Sequence, residues 1–251
     1  MEVTYHCQAA SPDRPNDDFV LATETFVLVL DGATAPAGVD SGCVHDVPWL
    51  VAHLAPNLAV ALLRDRSASL VDVLRDGIAA TMADHGDACD LTNPDSPSTT
   101  VAMLRCGVDT VDYAVLGDSA VLIEVGGDDS GLIIGLDDRT AFLDDYSLAA
   151  VRRLRNTDAG FWIASNKPEA AERAVVGSVP RAVVTRAALM TDGVTRLVER
   201  YGRSWRDVLD RLDKYGPREV VADVRAEERA TAPGAFKGKI HDDVTAVFCR
   251  F

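Results

Sequence analysis

The chain has 251 residues, 47% hydrophobic and 25% charged, with a formal net charge of −14. This is the balance of a folded protein with material for a large core, and its acidic excess argues against nucleic acid or an anionic membrane as a partner, since either would repel it. No uninterrupted apolar run approaches the roughly 18 residues that a membrane helix needs. The start, MEVTYHCQAA, lacks the basic and apolar regions of a secretory signal, so a cytoplasmic location is expected. Cysteines at 7, 43, 89, 106 and 249 are odd in number and lack paired metal spacing, which predicts reduced thiols. With no Pro/Gly/Ser-rich linker to cut it, the chain 1–251 reads as a single domain.

Taken in order, a strand pattern at 3–9 is followed by NDDFVLA, which sets Asp17 and Asp18 just before a strand at 19–22. FVLVL, 26–30, runs into Asp31 and Gly32. Asp46 is a plausible cap for a helix carrying Leu50, Leu54, Leu58 and Leu62 at four-residue steps, and Pro56 is expected to kink it. A second helix starts on Ser69, with Asp72 three residues later and Leu70, Val73, Leu74 and Ile78 on one face. Strands at 100–106, 111–116 and 120–125 follow, the last two separated by Gly117-Asp118-Ser119. Residues 126–180 are the least regular and read as mobile surface segments, in which FWIASNKPEAAERAV suggests a strand and a short acidic helix. A strand at 182–190 ends at Asp192-Gly193. Short helices are then predicted at 194–201, 204–215 and from Pro217, closed by Gly202 and Gly216 where they end, and Asp242-Asp243 precedes a last strand at 244–251. Strands beside strands, with helices clustered elsewhere, favour α+β: two antiparallel sheets with helices outside.

An Asp-Gly pair alone is ordinary turn chemistry. Here an acid marks the end or beginning of five strands, and side-by-side strands would gather those acids in one place. Carboxylates so close repel by several kcal/mol in a partly dry cleft, so a positive partner is needed. Mg²⁺ and Mn²⁺ suit all-oxygen sites, and a glycine beside the aspartate lets a backbone carbonyl approach an ion. Two ions about 4 Å apart can share and acidify one water for attack on a phosphoester.

NDD (16–18), LDGAT (30–34), PSTTVAML (97–104), VLGDSAVLI (115–123), LMTDGV (189–194) and HDDVTAVFC (241–249) together resemble the ordered motifs of the metal-dependent PP2C (PPM) serine/threonine phosphatases. The resemblance covers nearly the whole chain; it rests on the order and spacing, since no motif is specific alone. It implies a four-layer α-β-β-α sandwich and attack by a metal-bridging water on phosphoserine or phosphothreonine of a protein substrate. It implies two Mn²⁺ or Mg²⁺ ions, or three. By motif, Asp31 would bridge both metals and Gly32 would lend its carbonyl to one, which Asp17 also serves with Asp18 behind it. Asp192 and Asp242 would bind the other, Asp118 a third and looser ion, and Ser119, Thr191 and Asp243 would support the ligands. The family's phosphate-binding arginine sits a few residues before the first acidic motif, and the resemblance makes Arg14, in SPDRPNDD, its counterpart, able to grip phosphate bidentately.

Ala33 stands where many members carry a histidine, a candidate general acid. His241 and His45 could stand in, although an ordinary surface histidine is the better reading of each. With Ala33 and that loosely matched arginine, a non-catalytic, phosphatase-like binding protein is the first alternative, and a phosphatase of small metabolites the second. Other chemistries fit worse. His6-Cys7 and Arg14 resemble a cysteine phosphatase loop, but six residues intervene where five are needed. GAFKGKI is one residue short of a P-loop and lacks its hydroxyl, and there is no Gly-x-Ser-x-Gly elbow.

Overall fold

Two five-stranded antiparallel sheets form the middle of the molecule in a computed structural model that describes residues 1–33, 38–126, 131–143, 147–236 and 238–251. Thr34 of LDGAT and Lys237 of GAFKGKI lie outside the described residues. One sheet has the order β1 (Glu2–Gln8), β12 (Val244–Arg250), β11 (Val184–Met190), β8 (Ala120–Val125) and β9 (Gly131–Leu136). The other runs β10 (Val175–Pro180), β7 (Thr110–Leu116), β6 (Val101–Cys106), β3 (Phe26–Leu30) and β2 (Phe19–Ala22). A two-residue ribbon pairs β4 (Gly32–Ala33) with β5 (Ser98–Thr99) beside the end of β3.

The alternation of side chains along each strand explains the layers. In β3, Val27 and Val29 join Leu104, Val115, Val121, Ile123, Leu189 and Val247 between the sheets. Phe26, Leu28 and Leu30 point the other way, into a layer made by α1 (Val47–Arg64) and α2 (Leu70–Asp84). On the far side Leu122, Met190 and Phe248 pack against α4 (Asp192–Glu199), α5 (Trp205–Tyr215) and α6 (Pro217–Ala230). The central strands read as unbroken apolar runs because both their faces are covered. This is the expected α-β-β-α sandwich.

The caps follow local chemistry. Asp46 accepts from Trp49 N at 2.9 Å, Ser69 accepts from Asp72 N at 3.1 Å, and Ser204 with Asp207 forms a reciprocal capping box. α1 continues through Pro56 without a break. It has the length and mean hydropathy of a membrane span, yet Leu50, Leu54, Leu58 and Leu62 are buried in the helix–sheet layer.

The irregular middle region departs most from expectation. It supplies β9 and β10, both at sheet edges, where glycine, proline and one-sided burial weaken the strand pattern. It also supplies α3 (Leu148–Leu154). Phe161–Ala164 makes isolated bridges instead of a strand, and the acidic stretch is a 3₁₀ turn, Pro168–Arg173. These segments are not all surface: Phe161, Trp162, Ile163, Ala164, Ala170 and Ala171 are buried. The reason is that Trp162 and the three alanines complete the α1–α2 layer.

Candidate active site

The acids gather because their strands end on the same side of the sandwich. Asp31 follows β3. Asp118 lies in the turn between β7 and β8, which carries the chain from one sheet to the other; Asp192 leaves β11 as the first residue of α4, and Asp242 precedes β12. Asp31, Asp118, Asp192 and Asp242 line one cleft of about 200 Å³ together with Gly32, Ala33, Thr100, Phe161, Ile163 and Lys239.

Several of the acidic residues are held from behind, through backbone or side chain. Asp31 N donates to Thr100 Oγ1 at 3.3 Å, Thr100 Oγ1 shares a 2.6 Å hydrogen bond with Ser119 Oγ, and the Asp31 carbonyl accepts from Thr100 N and Thr99 Oγ1, both at 2.9 Å. Asp31 Oδ2 also accepts from Asp192 N, 3.3 Å away at the start of α4. Asp18 Oδ2 accepts from Thr191 Oγ1 at 3.0 Å and Thr245 Oγ1 at 2.7 Å. Asp243 turns away from the cleft to accept from Ala10 N and Asp17 N, each at 2.7 Å, so it fixes the segment that carries Asp17. Thr140 Oγ1 donates to Asp118 at 3.1 Å.

The glycines of both Asp-Gly pairs are required by close approach. A Cβ on Gly32 would lie 2.5 Å from Asp17 O, and one on Gly193 would lie 2.2 Å from Asp243 O. Even alanine would push apart the segments that bring the acids together.

The electrostatics match an excess of negative charge. Burial, then the carboxylates of Asp18, Asp192, Asp118 and Asp242, hold Asp31 well above the usual carboxylate range. Burial chiefly raises Asp118, with Asp192 adding to it. Asp18 is raised by burial against the opposing hydroxyls of Thr245 and Thr191. Asp192 is raised by burial in spite of Arg196, the one guanidinium set among these acids in the described residues. Arg196 Nη2 lies 3.0 Å from Asp192 Oδ2 and 2.5 Å from Asp242 Oδ2, and its side chain is 4% exposed. The sequence pattern did not single it out. Its signal was present, since residue 196 falls one helical turn after Asp192.

Oxygen donors alone line the carboxylate side of the cleft, Gly32 leaves its backbone open to close approach, and buried Asp18 Oδ1 has no hydrogen-bond partner. This donor set fits hard divalent cations. One guanidinium offsets only part of the charge, and Lys239 Nζ stands 3.5 Å from Asp242 Oδ1.

Arg14 is not in this cleft. It is exposed on an adjoining groove of about 660 Å³, which also holds Asp17, Arg155 and Lys239 and shares Ala33, Phe161 and Ile163 with the cleft. The two candidate substitutes for the missing histidine are engaged elsewhere: His241 Nδ1 pairs with Glu228 Oε2 at 3.0 Å, and His45 belongs to a separate cluster. Cys7 is no nucleophile in waiting. Its sulfur accepts from Asn16 Nδ2 and lies 3.0 Å from Thr245 Oγ1, and burial raises the thiol above its ordinary value. Asp137, also unforeseen, accepts from Gly117 N and pairs with Arg139, bracing the turn that carries Asp118.

The sequence profile described as protein phosphatase 2C matches residues 8–225, and the chain belongs to that family. Solved structures agree in fold. Serine/threonine phosphatase Stp1 from Staphylococcus aureus superposes with a TM-score of 0.61 at 11% identity, over 100% of this chain and 94% of that one. The Mycobacterium tuberculosis serine/threonine phosphatase PstP/Ppp gives 0.57 at 15% identity, over 98% and 97%. A PstP catalytic domain in complex with 2 manganese ions gives 0.54 at 15% identity, over 98% and 96%. No curated protein matches the sequence.

Proposed function

We propose that the chain is a manganese- or magnesium-dependent phosphatase that hydrolyses phosphoserine and phosphothreonine in proteins. The observation that carries this reading is the convergence of Asp31, Asp118, Asp192 and Asp242 on one small cleft beside a larger groove. Family membership and the phosphatases of like fold support it. The manganese bound in the PstP structure supports the choice of cofactor.

In this reading Asp31, Asp17 and the Gly32 carbonyl would hold one ion, Asp31, Asp192 and Asp242 a second, and Asp118 a third. When bound, the ions supply the Lewis acidity that lowers the pKa of a water and offsets charge on the phosphoryl oxygens. The chain's own residues do the positioning. Thr100 and Ser119 fix the Asp31 backbone, Thr191 and Thr245 fix Asp18, and Asp243 fixes the Asp17 backbone. Phe161 and Ile163 form an apolar wall shared by cleft and groove, and Lys239 places a cation where they meet. Arg14 and Arg155 add cations along the groove, which suits a phosphopeptide running through it. Ala33 offers no proton to the departing serine or threonine oxygen, so that proton would have to come from a metal-bound water or another group.

Hydrolysis of p-nitrophenyl phosphate and a phosphothreonine peptide, with Mn²⁺, with EDTA and after Asp192→Asn, tests the reading. Turnover is expected only with metal and an intact Asp192. Preference for phosphorylated metabolites over the peptide would shift the substrate class. The ion pairs of Arg196 with Asp192 and Asp242 favour a second reading, a non-catalytic phosphatase-like protein, because the guanidinium occupies one oxygen of each. Metal binding without hydrolysis would support it.

A further inference from the structure

The cysteine spacing gave no sign of a metal site, but the fold makes one. Cys43 and His45 lie in the loop before α1; His85 caps the C-terminus of α2 and Cys89 follows the 3₁₀ turn Gly86–Ala88. Because α1 and α2 are packed side by side and joined by a short connection, the start of one meets the end of the other. There the four side chains converge, with one potential ligand atom from each lying within 4.8 Å of all the others.

Cys43 Sγ is 3.6 Å from His45 Nδ1, 3.4 Å from His85 Nδ1 and 2.9 Å from Cys89 Sγ. Cys89 Sγ is 3.3 Å from His45 Nδ1, and the two Nδ1 atoms are 3.2 Å apart. A tetrahedron with metal–sulfur bonds of about 2.3 Å and metal–nitrogen bonds of about 2.0–2.1 Å has edges of about 3.3–3.8 Å. Of the five distances, the four that involve a nitrogen already lie close to those lengths, and the sulfur–sulfur edge, at 2.9 Å, is too long for a disulfide, whose S–S bond is about 2.05 Å.

The ligands are also held in place from outside. His45 stacks on Trp49 with ring centroids 3.8 Å apart, and Trp49 stacks in turn on His53 at the same distance. Asp90 N donates to Gly42 O at 2.7 Å and Asn93 Nδ2 to Asp40 O at 3.1 Å, which ties the two ligand-bearing loops together.

We infer that Cys43, His45, His85 and Cys89 bind one zinc ion in a closed structural site. Two thiolates and two imidazoles in a tetrahedron select zinc over the hard cations suited to the acidic cleft. With all four positions filled by protein, no position is left for substrate. The ion would clip together loops some forty residues apart, and stabilise most what closes a long loop. It would also anchor His45, which lines the groove next to the cleft, and so hold one rim of that groove.

The test is metal analysis of the full chain, purified with a thiol reductant. About one zinc per chain is expected, retained in Asp31→Asn and lost in the Cys43→Ser/Cys89→Ser double variant, with a lower melting temperature for the latter. If the double variant does not fold, the wild-type chain refolded with Co²⁺ decides instead. Intense visible bands of tetrahedral cobalt with thiolate-to-cobalt charge transfer would support the site. A reduced, folded chain that takes up neither zinc nor cobalt, or that shows only the pale spectrum of octahedral cobalt, would overturn it.

Discussion

The acidic cleft and the Cys/His cluster are assembled by different parts of the fold from different materials. The cleft uses sheet ends: each carboxylate follows or precedes an apolar strand, and the sheets' hydrogen-bond registers bring the strand ends together. The cluster uses helix ends and loops, where no sheet register sets position and where three stacked rings and a few loop hydrogen bonds do so. The cleft offers oxygen and excess charge, which call for hard, exchangeable dications. The cluster offers two sulfurs and two nitrogens, a set that suits one fixed ion. The proposed reaction centre and the proposed clip at its rim therefore use different ligands, and the chain keeps them apart.

The largest effect that can break this contrast is on turnover. Asp31→Asn removes the carboxylate assigned to both ions, and kcat/KM with saturating Mn²⁺ is expected to fall by about 10² or more, as when a major electrostatic contribution at a reacting centre is removed. A variant within a few-fold of wild type would place the chemistry elsewhere.

Next is Arg196→Gln. Breaking a buried ion pair typically costs about 3–5 kcal/mol, here because Asp192 and Asp242 lose their guanidinium. Urea unfolding in EDTA should show that loss, and saturating Mn²⁺ should shrink it by taking over the neutralisation. An equal deficit with and without metal would mean that Arg196 and the ions do not share those acids. Asp243→Ala should be smaller, about 1–3 kcal/mol in the same assay, because Ala10 N and Asp17 N lose their acceptor.

The smallest effects concern pH, and two ends of β8 should differ in sign. Near its start, Asp118 is held above its ordinary value by burial, so the metal-free native state binds protons more tightly than the unfolded chain. This contribution favours folding at low pH, and stability should fall as pH rises from about 4, the unfolded carboxylate value, through about 7. Near its end, Glu124 lies 2.6 Å from both Arg186 and Arg206 and is lowered to about 2, chiefly by the Arg186 hydrogen bond. Its contribution is present above the unfolded glutamate value and is lost as pH falls through about 2. Melting curves of Asp118→Asn and Glu124→Gln across this range, in EDTA, should each flatten their own limb. A change on the same limb in both would contradict the assigned environments.

Much of the cleft is legible in the sequence because strand periodicity is local and each acid sits at a strand boundary. FVLVL before Asp31, VDYAVL before Gly117-Asp118 and AALM before Thr191-Asp192 carry the signal in a few residues each. The sequence pattern does not single out Arg196 because an arginine on a helix usually faces solvent; its spacing from Asp192 is a local signal, but its second partner, Asp242, comes from a distant segment. The segment of Phe161 and Ile163 reads as a strand within a surface region, yet it makes only isolated bridges and both side chains are buried by neighbours distant in the chain.

The amino-acid sequence by itself determined the layered α+β architecture, the helix caps at Asp46, Ser69 and Ser204, and which acids stand at strand ends, since each depends on side-chain alternation or hydrogen bonds within a few residues. Only the tertiary structure decided that Arg196 lies between Asp192 and Asp242, that Arg14 sits on the groove and not in the cleft, and that Cys43, His45, His85 and Cys89 meet. Those contacts join residues far apart in the chain, and their geometry exists only after helices and sheets have packed.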